Sequence, residues 1–532
     1  MLGANLRRLA ARLDLSVASS SAAVFVLAAA AFGGLNGVAM FMPDERLVAA
    51  FHDDAFYYFG VARNLATGYG FTFDGIHRTN GFHPLWLGLI CPVFGVTHGD
   101  ATALRAIIAL QIGLVTATAV AIYRALLRPL GPGAATAALA LVAIPGSATF
   151  LCGGLESSLV LLIVVMLWVR FNRTLACANQ GALPWFWIGV LCAAGLLARF
   201  EGIVLTLCCL ALGFGRLREN PRNAAFLLAP TAVVAVAFAL WNRVVFGTWI
   251  PISGLVKSVW ASRAETWSRL DKFLTLPWLG SDIVEGAMTR LGAFSETRIH
   301  LILQILLLGS ILAVGWRCRR KFRVAVRSSE CRFLLLAAGA WVALDKFAGL
   351  DIEPWNRVLI HLCTAILIGA LACRHHRLAI MLNVALLVFA LARVPWKAEG
   401  LGTAGSSYAP YRLRAAMWLR EQTPEDARIG SWNAGLLGYF SHRAVVNLDG
   451  LVNDRRYLEE VIVGRNLDGY LRREGIIYLA DQSCGKEPSL GHYLSRTGSE
   501  RLEPDFTVEA VFAERTPDGC PGYVIWRRRP SG

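Results

Sequence analysis

Charge is scarce in this chain. Of its 532 residues only 17% are charged and 55% are hydrophobic, against about 25% charged in a soluble globular chain, and the mean hydropathy is +0.50. The shortage is uneven: long apolar runs are almost free of charge, while the short loops and residues 396–532 carry most of it. That distribution excludes an ordinary soluble protein and fits a polytopic one that spans a bilayer. Other absences narrow the chemistry. No CxxC or HExxH spacing occurs, so the common zinc signatures are missing. No phosphate loop, GxGxxG or nucleophile elbow occurs in the polar C-terminal stretch, which removes the usual nucleotide and hydrolase motifs. There is no internal repeat of the kind many transporters carry. The net charge of +15 comes without an aromatic–basic motif, so no nucleic-acid partner is expected. Of the 12 cysteines all but Cys484 and Cys520 lie in or beside apolar runs, where Cys acts as a small hydrophobe. Those two fall in the polar C-terminal region, where an oxidising compartment would allow a disulfide.

What is present is a series of apolar segments. A spanning helix needs roughly 20 mostly apolar residues. Such segments lie near 20–42, 102–123, 133–151, 155–171, 184–199, 201–215, 223–242, 299–316, 331–349, 355–373 and 378–395, which predicts about eleven spans. The short-loop cations set the orientation. Arg7, Arg8 and Arg12, then Arg124 and Arg128, Arg170 and Arg173, Arg216 to Arg222, Arg317 to Arg327, and Arg374 and Arg377 all fall on one side. With that side cytoplasmic, an odd number of spans puts the C-terminal region outside, at the periplasmic or extracellular face of the inner (plasma) membrane. The first apolar stretch is longer than the roughly 7–15 residues of a signal-peptide core, so an uncleaved anchor is expected. Pro84 to Val96 is too short to span and holds an internal Pro; it is expected to lie in the outer interface.

The chain therefore divides into a membrane domain, 1–395, and an extracytoplasmic α/β domain, 396–532. The membrane domain has outer loops at 43–101 and 243–298. In the tail, helices are predicted near 408–421 and 434–441, and strands near 427–432, 444–448, 475–480, 506–513 and 522–527.

The first outer loop holds the densest polar chemistry. It opens on Asp53-Asp54 at the start of a helix predicted over 54–66, with Phe56, Phe59, Val61 and Leu65 turned toward the membrane. Two acids at a helix start cap free N–H groups and suit the dipole, and that plainer role is open to this pair. Two adjacent carboxylates beside a bilayer are nevertheless costly unless used or paired. The loop also gathers Tyr57, Arg63, Asn64, Asp74, His77, Arg78, Asn80 and His83, with glycines that allow tight backbone. Glu156, Arg199, Glu201, Lys257, Asp351, Glu353 and Arg357 sit at helix ends on the same side. Each could be an interfacial ion pair or a snorkelling side chain. Together they suit a reaction in which a carboxylate takes a proton from a nucleophile and cations hold a phosphate leaving group. A lipid-linked phosphate sugar, its tail in the bilayer, fits that arrangement. A divalent ion could bridge phosphate and carboxylates, but no ligand set names one.

The stretches DDAFYYFGVARNLATGYGFTFDG (53–75), TNGFHPLW (79–86), GGLESS (153–158), LLARFEG (196–202) and FGTWIPISGLVKS (246–258) resemble the GT-C superfamily of polytopic membrane glycosyltransferases. The tail, with SWNAGLLGYF (431–440) and VVNLDGLVND (445–454), resembles that of some bacterial members. The resemblance implies a polyprenyl-phosphate-sugar donor, inversion at the anomeric carbon, and an acid of the first outer loop as base. Asp53 is the match for that base and Asp54 its partner. Arg199, Lys257 and Arg357 would hold the donor phosphate. Tyr57, Arg63, Asn80, His83, Glu156 and Glu201 are the substrate-binding candidates. The chain lacks a WWD acceptor motif and has a longer tail than simple members, leaving lipid, glycan and protein acceptors open. The competing readings are a ligase for lipid-diphosphate oligosaccharides, a transporter or flippase, and an assembly subunit in which the acids only cap a helix.

Overall fold

The computed structural model describes residues 41–97, 99–130, 134, 137–138, 151–177, 181–263, 329–348, 362, 409–483, 488–512 and 522–529. Helix α1 (Asp53–Ala66) and helix α2 (Pro84–Val96) form the first loop. The second has the bounds expected of the interfacial segment. Then come α3 (Asp100–Leu130), α4 (Ser157–Ala176), α5 (Leu183–Ala198), α6 (Ile203–Glu219) and α7 (Pro221–Phe246). Helix α8 (Ile252–Arg263) follows, and α9 (Ser329–Ala348) corresponds to the apolar run 331–349.

Four helices among the described residues are long and apolar enough to cross a membrane: Asp100–Leu127, Ser157–Ala176, Phe200–Glu219 and Pro221–Phe246. The α7 helix shows why. Val233, Val236, Leu240 and Val244 are exposed along it, an apolar surface that water would penalise and lipid would not. Its start is built by Asn220, whose side chain accepts from Arg222 N at 3.1 Å, followed by Pro221 at the first helical position. The expected spans near 20–42, 133–151, 299–316, 355–373 and 378–395 lie wholly or almost wholly outside the described residues, as do Arg357, Cys484 and Cys520.

The tail begins with α10 (Ala409–Gln422) and β1 (Arg428–Ser431), followed by α11 (Gly435–Ser441) and β2 (Ala444–Asn447). Helix α12 (Leu467–Arg473) leads to β3 (Ile476–Ser483), then β4 (Phe506–Phe512) and β5 (Gly522–Arg528). The sheet order is β2-β1-β3-β5-β4. Strand β1 pairs in parallel with β2 and β3, and β5 runs antiparallel to both β3 and β4. The three parallel strands bury Ile429, Val445, Val446, Ile476 and Leu479, and at their carboxyl ends the polar Ser431, Asn447 and Asp481.

The tail and α1 share one core. Phe56 packs 5.6 Å from the Tyr439 ring and 6.0 Å from that of Phe440, and Phe51 and Phe59 complete the cluster. This corrects the expectation that Phe56, Phe59 and Val61 face lipid: all three are fully covered by protein. A second core joins Ile252 and Val256 of α8 to Trp432, Val446, Leu448 and Tyr457 of the tail.

Candidate functional site

Helix α1 turns its residues by about 100° each, so its two acids and its two tyrosines point into different surroundings. Asp53 points at the tail. Its Oδ1 is 2.8 Å from Arg412 Nη1 on α10 and accepts from Leu436 N at 3.0 Å at the start of α11. The approach is tight: a Cβ on Gly435 would stand 2.1 Å from the Asp53 carbonyl oxygen. Burial raises the Asp53 carboxyl against the pull of Arg412 and the Leu436 N–H, with a net shift above its ordinary value. A cavity of about 280 Å³ opens beside the pair, lined by Phe51, His52, Asp53, Phe56, Ala409, Arg412 and Leu436. Asp54, by contrast, is exposed.

Tyr57 faces the tail loops. Its hydroxyl lies 3.2 Å from Asp449 Oδ2 and 3.3 Å from Trp432 O, and Asn447 Nδ2 donates to it at 3.1 Å. Tyr58 faces the ends of the membrane helices and donates to Glu156. Burial first, then the Glu156 charge, pushes the Tyr58 hydroxyl well above its ordinary pKa, so it keeps its proton. Glu156, which directly precedes α4, is buried and meets Arg199 Nη1 at 2.8 Å. Arg199 Nε lies 3.1 Å from Glu201 Oε2, and His83 Nε2 lies 3.6 Å from Glu156 Oε1. Burial, then the Arg199 and Lys257 charges, hold His83 well below its ordinary pKa and therefore neutral. Its Nδ1 is buried without a hydrogen bond.

The GGLESS loop that carries Glu156 is clamped by Gln111, a buried polar residue inside α3. Gln111 Nε2 donates to Leu155 O at 2.7 Å and its Oε1 accepts from Gly154 N at 3.0 Å. Trp86 of α2 donates to Gly154 O at 3.1 Å, and His52 N to Gly153 O at 3.0 Å. The first loop and the α4 start are thus one unit.

The sequence candidates separate accordingly. Tyr58, His83, Glu156, Arg199 and Glu201 form one cluster, and the Lys257 charge reaches it. Asp53 and Tyr57 are tied to the tail. Asn80 is fully occupied: its Nδ2 donates to Asn242 Oδ1 at 2.9 Å and Thr248 Oγ1 at 3.0 Å, and its Oδ1 accepts from Ile252 N at 2.9 Å. It holds the turn into α8, the helix that carries Lys257. Arg63 donates to Tyr439 O at 2.7 Å and pairs with Asp100 at 3.3 Å, another bond between loop and tail. Arg412, Asn447, Asp449, Tyr58 and Gln111 were not singled out by sequence. The signal available was slight: polar residues Asn447 and Asp449 where an apolar strand ends. Among the described residues no group of three or more His, Cys, Asp or Glu side chains is arranged to hold a metal ion.

Apolar helices, a first loop packed along their ends and a mixed C-terminal sheet over that loop make up a fold shared with solved membrane proteins. Among solved structures the chain is similar to the apo oligosaccharyltransferase of Archaeoglobus fulgidus, at 14% identity and a TM-score of 0.52 over 87% of this chain and 69% of that one. It is also similar to ArnT from Cupriavidus metallidurans bound to undecaprenyl phosphate, at 13% identity and a TM-score of 0.51 over 94% of this chain and 97% of that one. At these identities the likeness shows the fold alone. A family model described as a domain of unknown function (DUF8728) matches residues 404–518. No curated protein matches the chain.

Proposed function

We propose that the protein is a membrane glycosyltransferase that moves a sugar from a polyprenyl-phosphate donor to a lipid, glycan or protein nucleophile at the outer face of the inner membrane. The observation that carries this reading is the divergence of the two adjacent acids. Asp53 Oδ1 is engaged by Arg412 and Leu436 N while its Oδ2 is buried without a hydrogen bond, and Asp54 is the more exposed of the two. A general base must reach the proton it removes, and of the pair Asp54 is the more exposed. We therefore give the base role to Asp54 and an anchoring role to Asp53, the reverse of the division drawn from the family resemblance.

In this reading Asp54 takes the acceptor proton as the acceptor atom bonds to the anomeric carbon. The bond from that carbon to the phosphate oxygen breaks, its electron pair leaves with the polyprenyl phosphate, and the configuration inverts. Lys257 is the cation assigned to the departing phosphate. Arg199 is already engaged by Glu156 and Glu201, so it supports the site from beneath, and Arg357 stands as a further donor contact. Neutral His83, with an unengaged Nδ1, is a hydrogen-bond acceptor for a sugar hydroxyl.

Two similarities support a lipid-monophosphate donor. ArnT was solved with undecaprenyl phosphate, and the chain spans 97% of ArnT against 69% of the oligosaccharyltransferase. The test uses the full-length protein in nanodiscs with a panel of polyprenyl-phosphate sugars and membrane extracts as acceptors. Asp54→Asn should lower transfer about 10²–10⁴-fold, the usual worth of a general base, with unchanged insertion and melting temperature. Full transfer by that variant contradicts the base role. Transfer only from oligosaccharide diphosphates would turn the reading to a ligase. Solute uptake into vesicles with no covalent product would turn it to a transporter.

A further inference from the structure

Away from the candidate site, the first loop meets the tail through a histidine held between two acids. Residues 72–78 form a small closed turn. Thr72 and Arg78 bridge antiparallel, Thr79 N donates to Phe71 O at 2.8 Å, and Gly75 turns the chain at a φ of +79°. Asn64 of α1 fastens the turn, its Nδ2 donating to Thr72 O and Phe73 O at 3.0 Å each. Inside it, Asp74 Oδ1 accepts from Ile76 N at 2.9 Å and from His77 N at 2.8 Å. Asp74 Oδ2 faces the His77 ring, whose Nδ1 stands 2.6 Å away. The other ring nitrogen reaches the tail. His77 Nε2 lies 3.4 Å from Oε2 of Glu474, the residue that follows α12.

This placement decides where the protons go. Asp74 takes two backbone N–H groups, and Glu474 Oε2 takes Arg428 Nη1 at 3.0 Å while its Oε1 lies 3.3 Å from Arg473 Nε. Both acids therefore present acceptor oxygens to the ring. A neutral His77 has one donor nitrogen and one acceptor nitrogen. With Nδ1 donating to Asp74, a neutral ring sets its Nε2 lone pair against the Glu474 oxygen. An imidazolium meets an acceptor with a donor on both sides. The side chains of His77 and Glu474 are 9% and 12% exposed, so salt screens the contact weakly. The groups that face His77 are Asp74 of its own turn, Tyr470 and Glu474 of the α12 region, and Asp454 of the loop after β2. Arg428 and Arg473 stand behind Glu474, and Arg78 is exposed. Burial lowers the His77 imidazole, but the Asp74 hydrogen bond and the charges of Asp74, Asp454 and Glu474 outweigh it and leave the group above its ordinary value.

We propose that His77 is a pH-sensitive latch between the first loop and the tail: as an imidazolium it joins Asp74 to Glu474, and on losing its proton it keeps Asp74 and releases Glu474. The latched turn runs directly into Asn80, which holds the turn into α8. A histidine raised in the folded protein adds stability that is full below its unfolded value of about 6.5. That stability is lost as pH climbs through the folded value. The latch does not depend on the reaction proposed above and is read without turnover.

The test is a double-mutant cycle on full-length protein in nanodiscs. Wild type, His77→Gln, Glu474→Gln and the double variant are compared by melting temperature at pH 6 and at pH 9. The cycle cancels what Glu474→Gln does to Arg428 and Arg473. At pH 6 the double variant should lose less than the sum of the two single losses, and at pH 9 the losses should add. Additive losses at pH 6, or the same coupling at both pH values, overturn the latch. A second readout follows the proton itself. In protein labelled with 15N-histidine, the His77 signal is assigned by its disappearance in His77→Gln. It should titrate above 6.5 in wild type and move down in Glu474→Gln. A wild-type midpoint at or below 6.5, or one that Glu474→Gln leaves in place, overturns the proposal.

Discussion

Tyr57 and Tyr58 are neighbours in sequence and open onto two differently solved electrostatic problems. On the Tyr58 side a buried carboxylate, Glu156, is balanced by Arg199, which Glu201 also engages. On the Tyr57 side a buried acid, Asp449, is held by neutral donors, the Tyr57 hydroxyl and the Leu451 N–H. The contrast shows two ways to hold an acid out of water: pair it with a cation or surround it with neutral donors. Burial raises the Glu156 carboxyl above its ordinary value against the pull of Arg199. Burial pushes the Asp449 carboxyl up to about 7 at this joint between the first loop and the tail.

The comparison can be broken most severely on the paired side. Arg199→Leu leaves Glu156 buried without its closest cation and should cost about 3–5 kcal/mol, the usual penalty for breaking a buried pair from one side. A variant of Arg199 with an undiminished melting temperature would show that the pair carries no such load. Arg412→Ala attacks the joint between tail and α1. Its cost should be somewhat smaller, about 2–4 kcal/mol, because the Asp53 side chain is 15% exposed and water can reach it. The specific readout is limited proteolysis, which should release the tail near α10 faster than in wild type. Asn80→Ala removes three hydrogen bonds around the turn into α8 and should cost about 1–3 kcal/mol. On the proposed reading it should also weaken binding of a polyprenyl-phosphate donor through displaced Lys257.

The fold was unevenly legible. The strands and the first two helices of the tail are legible because their patterns are local, as in the Ala409–Gln422 helix and the AVVN strand, whereas the helix Leu467–Arg473 is not. The Pro84–Val96 helix is legible for the same reason, being short, apolar and bounded by His83 and Thr97. The burial of α1 was not. Phe56 and Phe59 look the same whether they meet lipid or Tyr439, since hydropathy does not distinguish a bilayer from a protein core. The site was half legible. Asp53, Asp54, His83, Glu156 and Arg199 stood out as charges beside apolar runs. Asp449 lies 392 residues from the Tyr57 it contacts, and no local pattern encodes a pairing at that range. The same holds for Arg412, which looks like an ordinary helix-surface arginine until Asp53 is placed against it.

The most direct measurement sets the two adjacent acids against each other: Asp53→Asn and Asp54→Asn, assayed side by side for transfer from a polyprenyl-phosphate sugar and for melting temperature. The assignment predicts that Asp54→Asn abolishes transfer with its melting temperature intact. Asp53→Asn should lower the melting temperature yet retain measurable transfer. A well-folded Asp53→Asn without activity, beside an active Asp54→Asn, would contradict it.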